Sequence, residues 1–139
     1  MLKRTVSHLL ATLLFAFSHS NALAEPVHEA QIERDSYGVP HIFGATDADA
    51  AFGLAYAQAE DAWPIMEGSL PFYRGTAGLY EGQEGAQTDY LVKWLDLWGT
   101  LDRNYEVDLS PEIRAYVEAF AAGFNAFAAD NPSEVEHPE

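Results

Sequence analysis

Residues 30–43 read AQIERDSYGVPHIF: Ile32 and Arg34 alternate with Glu33 and Asp35, and Ser36-Tyr37-Gly38 then breaks the pattern. Val39 to Phe43 resumes with β-branched and aromatic residues, so two short antiparallel strands, Gln31–Arg34 and Val39–Phe43, are predicted around a glycine turn. Pro40 lacks a backbone donor and places the second strand at an edge, or begins it. The period then changes. Thr46 followed by Asp49 is a capping-box variant that starts a helix. Phe52, Ala55, Tyr56, Ala59, Ala62, Trp63 and Met66 fill one face of that helix, and Gly53 with the alanines keeps its surface low for close packing. Pro64 removes the bond to the Glu60 carbonyl, so the helix, predicted near 47–63, kinks or ends there. Gly75, Gly78, Gly82 and Gly85 mark residues 75–86 as a loop. Leu91, Trp94, Leu95, Trp98 and Leu101 recur at helical spacing and predict a helix near 89–101, capped by Thr88 or Asp89. Ser110-Pro111-Glu112 starts a third helix near 111–129, with Ile113, Tyr116, Val117, Phe120, Phe124 and Phe127 as its stripe and Asn131-Pro132 as its stop. The tail from Ser133 to Glu139 is polar and carries no structural signal. There are no internal repeats or low-complexity tracts.

The first 24 residues read differently. Lys3 and Arg4 precede the apolar run Leu9 to Phe17, and Ala22-Leu23-Ala24 is a small-x-small site before Glu25-Pro26. This is the order of a signal peptide, and the run is too short to span a bilayer, which needs about 20 apolar residues. Residues 1–24 are therefore read as a leader and 25–139 as the mature chain, which is exported, and periplasmic where the cell has two membranes. With no second spanning stretch, no membrane association is expected after cleavage.

The 139 residues carry 7 Lys+Arg against 22 Asp+Glu, a formal net charge of −15. The leader holds two of the cations and no acid, so the mature charge is −17. Such a surface repels phosphate backbones and excludes a nucleic-acid partner. A composition of 48% hydrophobic and 13% aromatic residues excludes wholesale disorder. The absence of cysteine removes disulfides, thiolate metal sites and cysteine nucleophiles.

The common hydrolytic motifs are also missing. None of Ser36, Ser69, Ser110 or Ser133 sits in a Gly-x-Ser-x-Gly elbow. His28, His41 and His137 are scattered and give no zinc helix. Asp47-Ala48-Asp49 opens like a calcium loop, but Ala51 and Phe52 stand where an oxygen ligand and a turning glycine are required. Gly75-x-x-Gly78 lacks the strand-to-helix context of a phosphate loop. Glu60 and Asp61 are adjacent, so on a helix they point about 100° apart and do not converge on one proton; a buried cap or an ion pair is the expected use of Glu60. No catalytic, cofactor-binding or metal-binding residue is assigned. His41 is read as a structural histidine. The aromatic positions Trp94, Trp98, Phe120, Phe124 and Phe127 could line an acyl pocket, but their regular spacing favours a helix–helix core.

Composition and periodicity lead no further than an exported, acidic, α+β or mostly helical protein. Two strings lead further. Arg34-Asp35-Ser36-Tyr37-Gly38-Val39-Pro40-His41-Ile42 resembles the N-terminal strand motif of the penicillin acylase (penicillin amidase) family of N-terminal-nucleophile hydrolases. Asp49 to Asp61 (DAAFGLAYAQAED) resembles the first α-chain helix of that family, and Met66-Glu67, Arg74-Gly75 and Ala122-Gly123-Phe124-Asn125 follow in family order. Ala62-Trp63-Pro64 stands where the family commonly has Arg, and looks closer to the acyl-homoserine-lactone and lipopeptide acylase branch.

The resemblance implies an α+β fold: an N-terminal, mostly helical piece of an αββα N-terminal-nucleophile hydrolase with a short antiparallel strand pair. It implies a longer precursor cut into two chains. In such a precursor the N-terminal Ser of the β chain attacks an amide carbonyl, its own α-amino group is the base, and backbone and Asn donors hold the oxyanion. Residues 25–139 would then be the front of the α chain, with the β chain as partner and a small N-acyl amide as substrate, and no amidase activity of their own. Ser69, followed by Leu70-Pro71 at a helix end, does not match that nucleophile. Calcium is compatible with the complete family fold, and no ligand set or other cofactor is identifiable in this segment. The competing reading is a stand-alone acidic helical protein that binds a partner without catalysis. Of the two, only the precursor requires a strand-rich segment opening with Ser-Asn downstream, and it leaves apolar stripes of this chain without a partner inside it. Exported material is expected to begin at Glu25; N-terminal sequencing that found Met1, or any start beyond Val27, would refute the leader assignment.

Overall fold

The computed structural model describes residues 28–136; the expected leader, its expected cleavage site and His137 lie outside them. The order of elements is β1 (Ala30–Arg34), β2 (Pro40–Gly44), α1 (Asp47–Arg74), α2 (Gly78–Glu81), α3 (Gln83–Trp94), α4 (Leu97–Asp108) and α5 (Pro111–Asp130). The strands pair antiparallel with Ile32 opposite Ile42 and Arg34 opposite Pro40, so the proline opens β2 at the end of the ladder. The Asp35 carboxylate closes the turn by accepting from the Tyr37 and Val39 N–H groups at 2.8 and 3.0 Å. Gly38 sits there at φ +84°, a conformation that costs a residue with a Cβ far more.

The capping box forms in full. Thr46 Oγ1 accepts from the Asp49 N–H at 3.1 Å, and Asp49 Oδ2 accepts from the Thr46 N–H at 3.2 Å. The helix does not end near residue 63 but runs 28 residues to Arg74, with a kink at Ala62 (φ −147°, ψ 29°). Pro64 lies two residues beyond, in the first turn of the renewed helical run, where its missing N–H costs little. A helix tolerates proline in its first turn, which is why Pro64 kinks α1 without terminating it. Gly75, in the left-handed region, closes it.

The glycine-rich stretch predicted as a loop is largely helical. α2 is one turn, α3 starts at Gln83, and Asp89 accepts from the Ala77 and Gly78 N–H groups at 2.7 and 2.8 Å. Asp89 is thus inside α3 and caps α2 instead of starting its own helix. The glycines here create space: a Cβ at Gly85 would overlap the Ala77 carbonyl. The single helix expected near 89–101 is broken into α3 and α4 at Asp96, whose φ of +49° lies in the left-handed region. α5 matches its expected span, with Ser110 Oγ accepting from the Ile113 N–H at 3.4 Å and Pro111 in the first turn.

Packing centres on α1. One face (Ala51, Ala55, Ala59, Trp63) lies against Ala119, Gly123 and Phe127 of α5, all buried. Trp63 stacks on Phe124 at 4.6 Å, Tyr56 meets Phe127 edge-on at 5.7 Å, and the Tyr56 hydroxyl donates to Asp130 at 3.0 Å. On the opposite face Gly53 lies under the hairpin, where a Cβ would come within 2.6 Å of Ala30 Cβ and 2.8 Å of Ile42 Cγ2. The tail, which carries no structural signal in the sequence, folds back on α1: Val135 packs against the Ala59, Trp63 and Phe127 cluster. No helix among the described residues is long and apolar enough to cross a membrane. A Cβ at Gly123 would enter the Phe52 carbonyl of α1. Gly123→Ala should therefore lower the unfolding free energy by about 1–3 kcal/mol, read by denaturant melts, with Gly68→Ala, at an open site, as the tolerated control; equal stability of the two variants would contradict the packing.

Candidate functional site

The two strings that carry the resemblance meet in space. Arg34, at the end of β1, reaches across to the C-terminal part of α1 before the kink. Its Nη1 donates to the Gly38 carbonyl at 2.9 Å and to Asp61 Oδ2 at 3.2 Å. Its Nη2 donates to Glu60 Oε2 at 2.9 Å and to the Ala57 carbonyl at 3.5 Å, and lies 3.0 Å from Asp61 Oδ1. Adjacent carboxylates that cannot share a proton can share a guanidinium, because its planar fork offers separate donors in separate directions. The hydrogen bonds that Arg34 donates to Glu60 and then to Asp61 hold it above its ordinary pKa. Glu60 is in an ion pair, as expected, but not a buried one: its side chain is 40% exposed. The sequence reading did not pick out Arg34 as the hub; its signal was the one cation at the end of the first strand facing a Glu-Asp pair.

Beside this clamp, His41 Nε2 lies 3.6 Å from Asp35 Oδ2. The Val39 N–H, then that of Tyr37, and then His41 hold the Asp35 carboxyl below the usual range. His41, read as a structural histidine, is an exposed residue of the hairpin paired with Asp35. At the other end of the hairpin His28 Nδ1 lies 3.3 Å from Asp49 Oδ1 and its ring stacks on Phe52 at 5.8 Å. The Thr46 hydroxyl, first, and His28 keep Asp49 below its ordinary pKa.

These groups are arranged for holding, not for acyl transfer. Ser69 lies inside α1, not at its end, and its hydroxyl donates to the Met66 carbonyl at 2.7 Å. Ser110 is a helix cap, and Ser36 and Ser133 are exposed. Among the described residues no serine hydroxyl is hydrogen-bonded to a histidine, and no cluster of three or more His, Asp or Glu is placed to hold a metal ion. The aromatic positions do not form one surface. Phe124 and Phe127 belong to the α1–α5 core, whereas Trp94 and Trp98 are 68% and 47% exposed. Around them Tyr90, Leu91, Leu95, Leu97 and Leu101 are exposed as well, and Tyr90 stacks parallel to Trp94 at 6.4 Å. α4 has no buried residue and is held by the Trp98 indole N–H on the Tyr73 carbonyl at 2.9 Å and the Tyr105 hydroxyl on Glu118 at 3.1 Å.

Residues 29–138 match the family profile described as penicillin amidase. The chain belongs to the penicillin amidase family. It is 34% identical over 116 residues to the penicillin acylase 2 proenzyme of Pseudomonas sp. (strain SE83), covering 83% of this chain and 14% of that one. It is 28% identical over 147 residues to the acyl-homoserine lactone acylase PvdQ of Pseudomonas syringae pv. syringae (strain B728a), covering 92% of this chain and 18% of that one. Relatives of both kinds are thus similar to it. The fold matches that of a thermostable penicillin G acylase from Alcaligenes faecalis with a TM-score of 0.65 and 26% identity, over 82% of this chain and 60% of that one. The chain therefore spans less than a fifth of the length of these two curated relatives.

In this member of the penicillin amidase family, then, the Arg34 clamp ties the strand motif to the first helix. Tyr37, at the hairpin tip, is 91% exposed. Arg34→Met should loosen the hairpin and speed chymotryptic cleavage after Tyr37 several-fold, followed by mass spectrometry, with the helical content unchanged; an unchanged cleavage rate would show that the clamp holds nothing.

Proposed function

We propose that this chain is the front of the α chain of an exported acylase precursor that hydrolyses the N-acyl bond of small amides. The observation that carries the proposal is the penicillin amidase match over residues 29–138, joined to the fold match with a penicillin G acylase chain. The leader-like start supports export, to the periplasm where the cell has two membranes.

In this reading the chain is scaffold. The nucleophile is the N-terminal Ser of a β chain, with its own amine as base, a workable pairing because an α-amino group titrates near 8. The hairpin β1–β2 lies on the sheet that carries the nucleophile, and the Arg34 clamp sets its angle to α1. The β chain is the partner, and the exposed aromatic positions of α3 and α4 belong to the surface it covers. The orphan faces stay in solution through the charge of the chain.

The expected result is that the purified chain releases no amine from a panel of N-acyl substrates with short aromatic and long aliphatic acyl groups. Co-expression with a downstream segment opening with Ser should raise solubility and bring turnover. Turnover by the chain alone, abolished by changing one of its own residues, would overturn the reading.

A further inference from the structure

We propose that Trp63 and Glu67 form a latch that reads the backbone of the segment after α5 and ties it to the second half of α1. This goes beyond the acylase reading and does not depend on it. α5 ends at Asp130, and Asn131 turns the chain: its N–H and its side-chain amide both donate to the Phe127 carbonyl at 2.9 Å. The Glu134 N–H donates to the Asn131 carbonyl at 3.0 Å, which completes the reversal. The returning chain then meets α1 beyond its kink. The Trp63 indole N–H donates to the Glu134 carbonyl at 3.0 Å, and Glu67 Oε1 accepts from the Glu136 N–H at 2.8 Å.

The geometry is that of backbone recognition. Trp63 and Glu67 are one helical turn apart and share a face. They supply one donor and one acceptor to a carbonyl and an N–H two residues apart. The side chains of Glu134 and Glu136 are exposed, and Val135 between them packs on Trp63 and its neighbours. Trp63 and Glu67 are each only 4% exposed. A buried carboxylate needs hydrogen-bond donors, and the strap supplies one. Reading two backbone groups and one apolar side chain, the latch fixes the path along which the polypeptide leaves α5: back over α1, not onward along the α5 axis.

The test follows the Trp63 indole proton by NMR in the full chain labelled with 15N-tryptophan, with Trp63→Phe to assign it. The indole of Trp98, bonded to the Tyr73 carbonyl and not to the strap, is the internal reference. In the unaltered chain the Trp63 proton should exchange more slowly than those of Trp94 and Trp98. Glu67→Leu should speed its exchange about tenfold, the scale of a lost hydrogen bond to a charged group, whereas Glu67→Gln, which keeps an acceptor oxygen, should stay within about twofold of the unaltered chain. Val135→Asp alters no residue of α1 or α5 and removes the apolar anchor of the strap, and it should also speed Trp63 alone. If Glu67→Leu fails to fold, Val135→Asp decides. Unchanged Trp63 exchange in Val135→Asp, or equal acceleration of Trp63 and Trp98 in either variant, would overturn the latch.

Discussion

The fold depends on how closely the backbone of α5 approaches that of α1. At Gly123 no side chain intervenes before the Phe52 carbonyl, and the facing positions on α1 are alanines. A seam of small residues gives little apolar area per residue, and its value lies in what the close approach brings together. It sets Phe124 and Phe127 at stacking distance from Trp63 and puts the Tyr56 hydroxyl on Asp130. The same thin helix serves the hairpin on its other face, because Gly53 leaves room for Ala30 and Ile42. α1 is thus a spine with two occupied sides, and a Cβ at either glycine would push one neighbour away. Interiors of this density transmit such shifts instead of absorbing them.

The clamp at Arg34 is a consequence of that geometry. With the hairpin seated on Gly53, the end of β1 comes over the last turn before the kink, where Glu60 and Asp61 are presented together. Exposed ion pairs are individually weak. Here one guanidinium gathers two carboxylates and two carbonyls, so the contact fixes an orientation even where it adds little stability. In this penicillin amidase family protein the clamp ties the strand motif to the first helix.

Local signals were legible wherever they acted locally. The Asp35–Gly38 turn, the Thr46–Asp49 box and the Ser110-Pro111 start depend on residues within four positions of each other, and each was read at its place. The family was legible from two strings, and in the structure these meet at Arg34. Features set by distant partners were not legible. Gly78 and Gly85 resemble loop glycines in sequence, but they are the close contact between α2 and α3, fixed by Asp89 eleven residues beyond Gly78. The break at Asp96 interrupts an apolar stripe whose spacing gives no hint of it. Nothing local in the sequence marks Glu67 for burial under the strap, and Glu134 to Glu136 read as an ordinary polar tail because the latch uses their backbone.

α1 and the second half of α5 are the stable centre, with α3 and α4 attached at the periphery. Native-state hydrogen exchange on the full chain tests this most directly, since it ranks the opening free energies of segments within one molecule. The slowest amides should lie in residues 51–61 and 119–127, the hairpin should be intermediate, and residues 97–108 of α4, with none buried, should be the fastest of the long helices. Protection in α4 equal to that of α1, or amides around Gly123 exchanging as fast as those of α4, would contradict the claim that the α1–α5 seam holds the structure together.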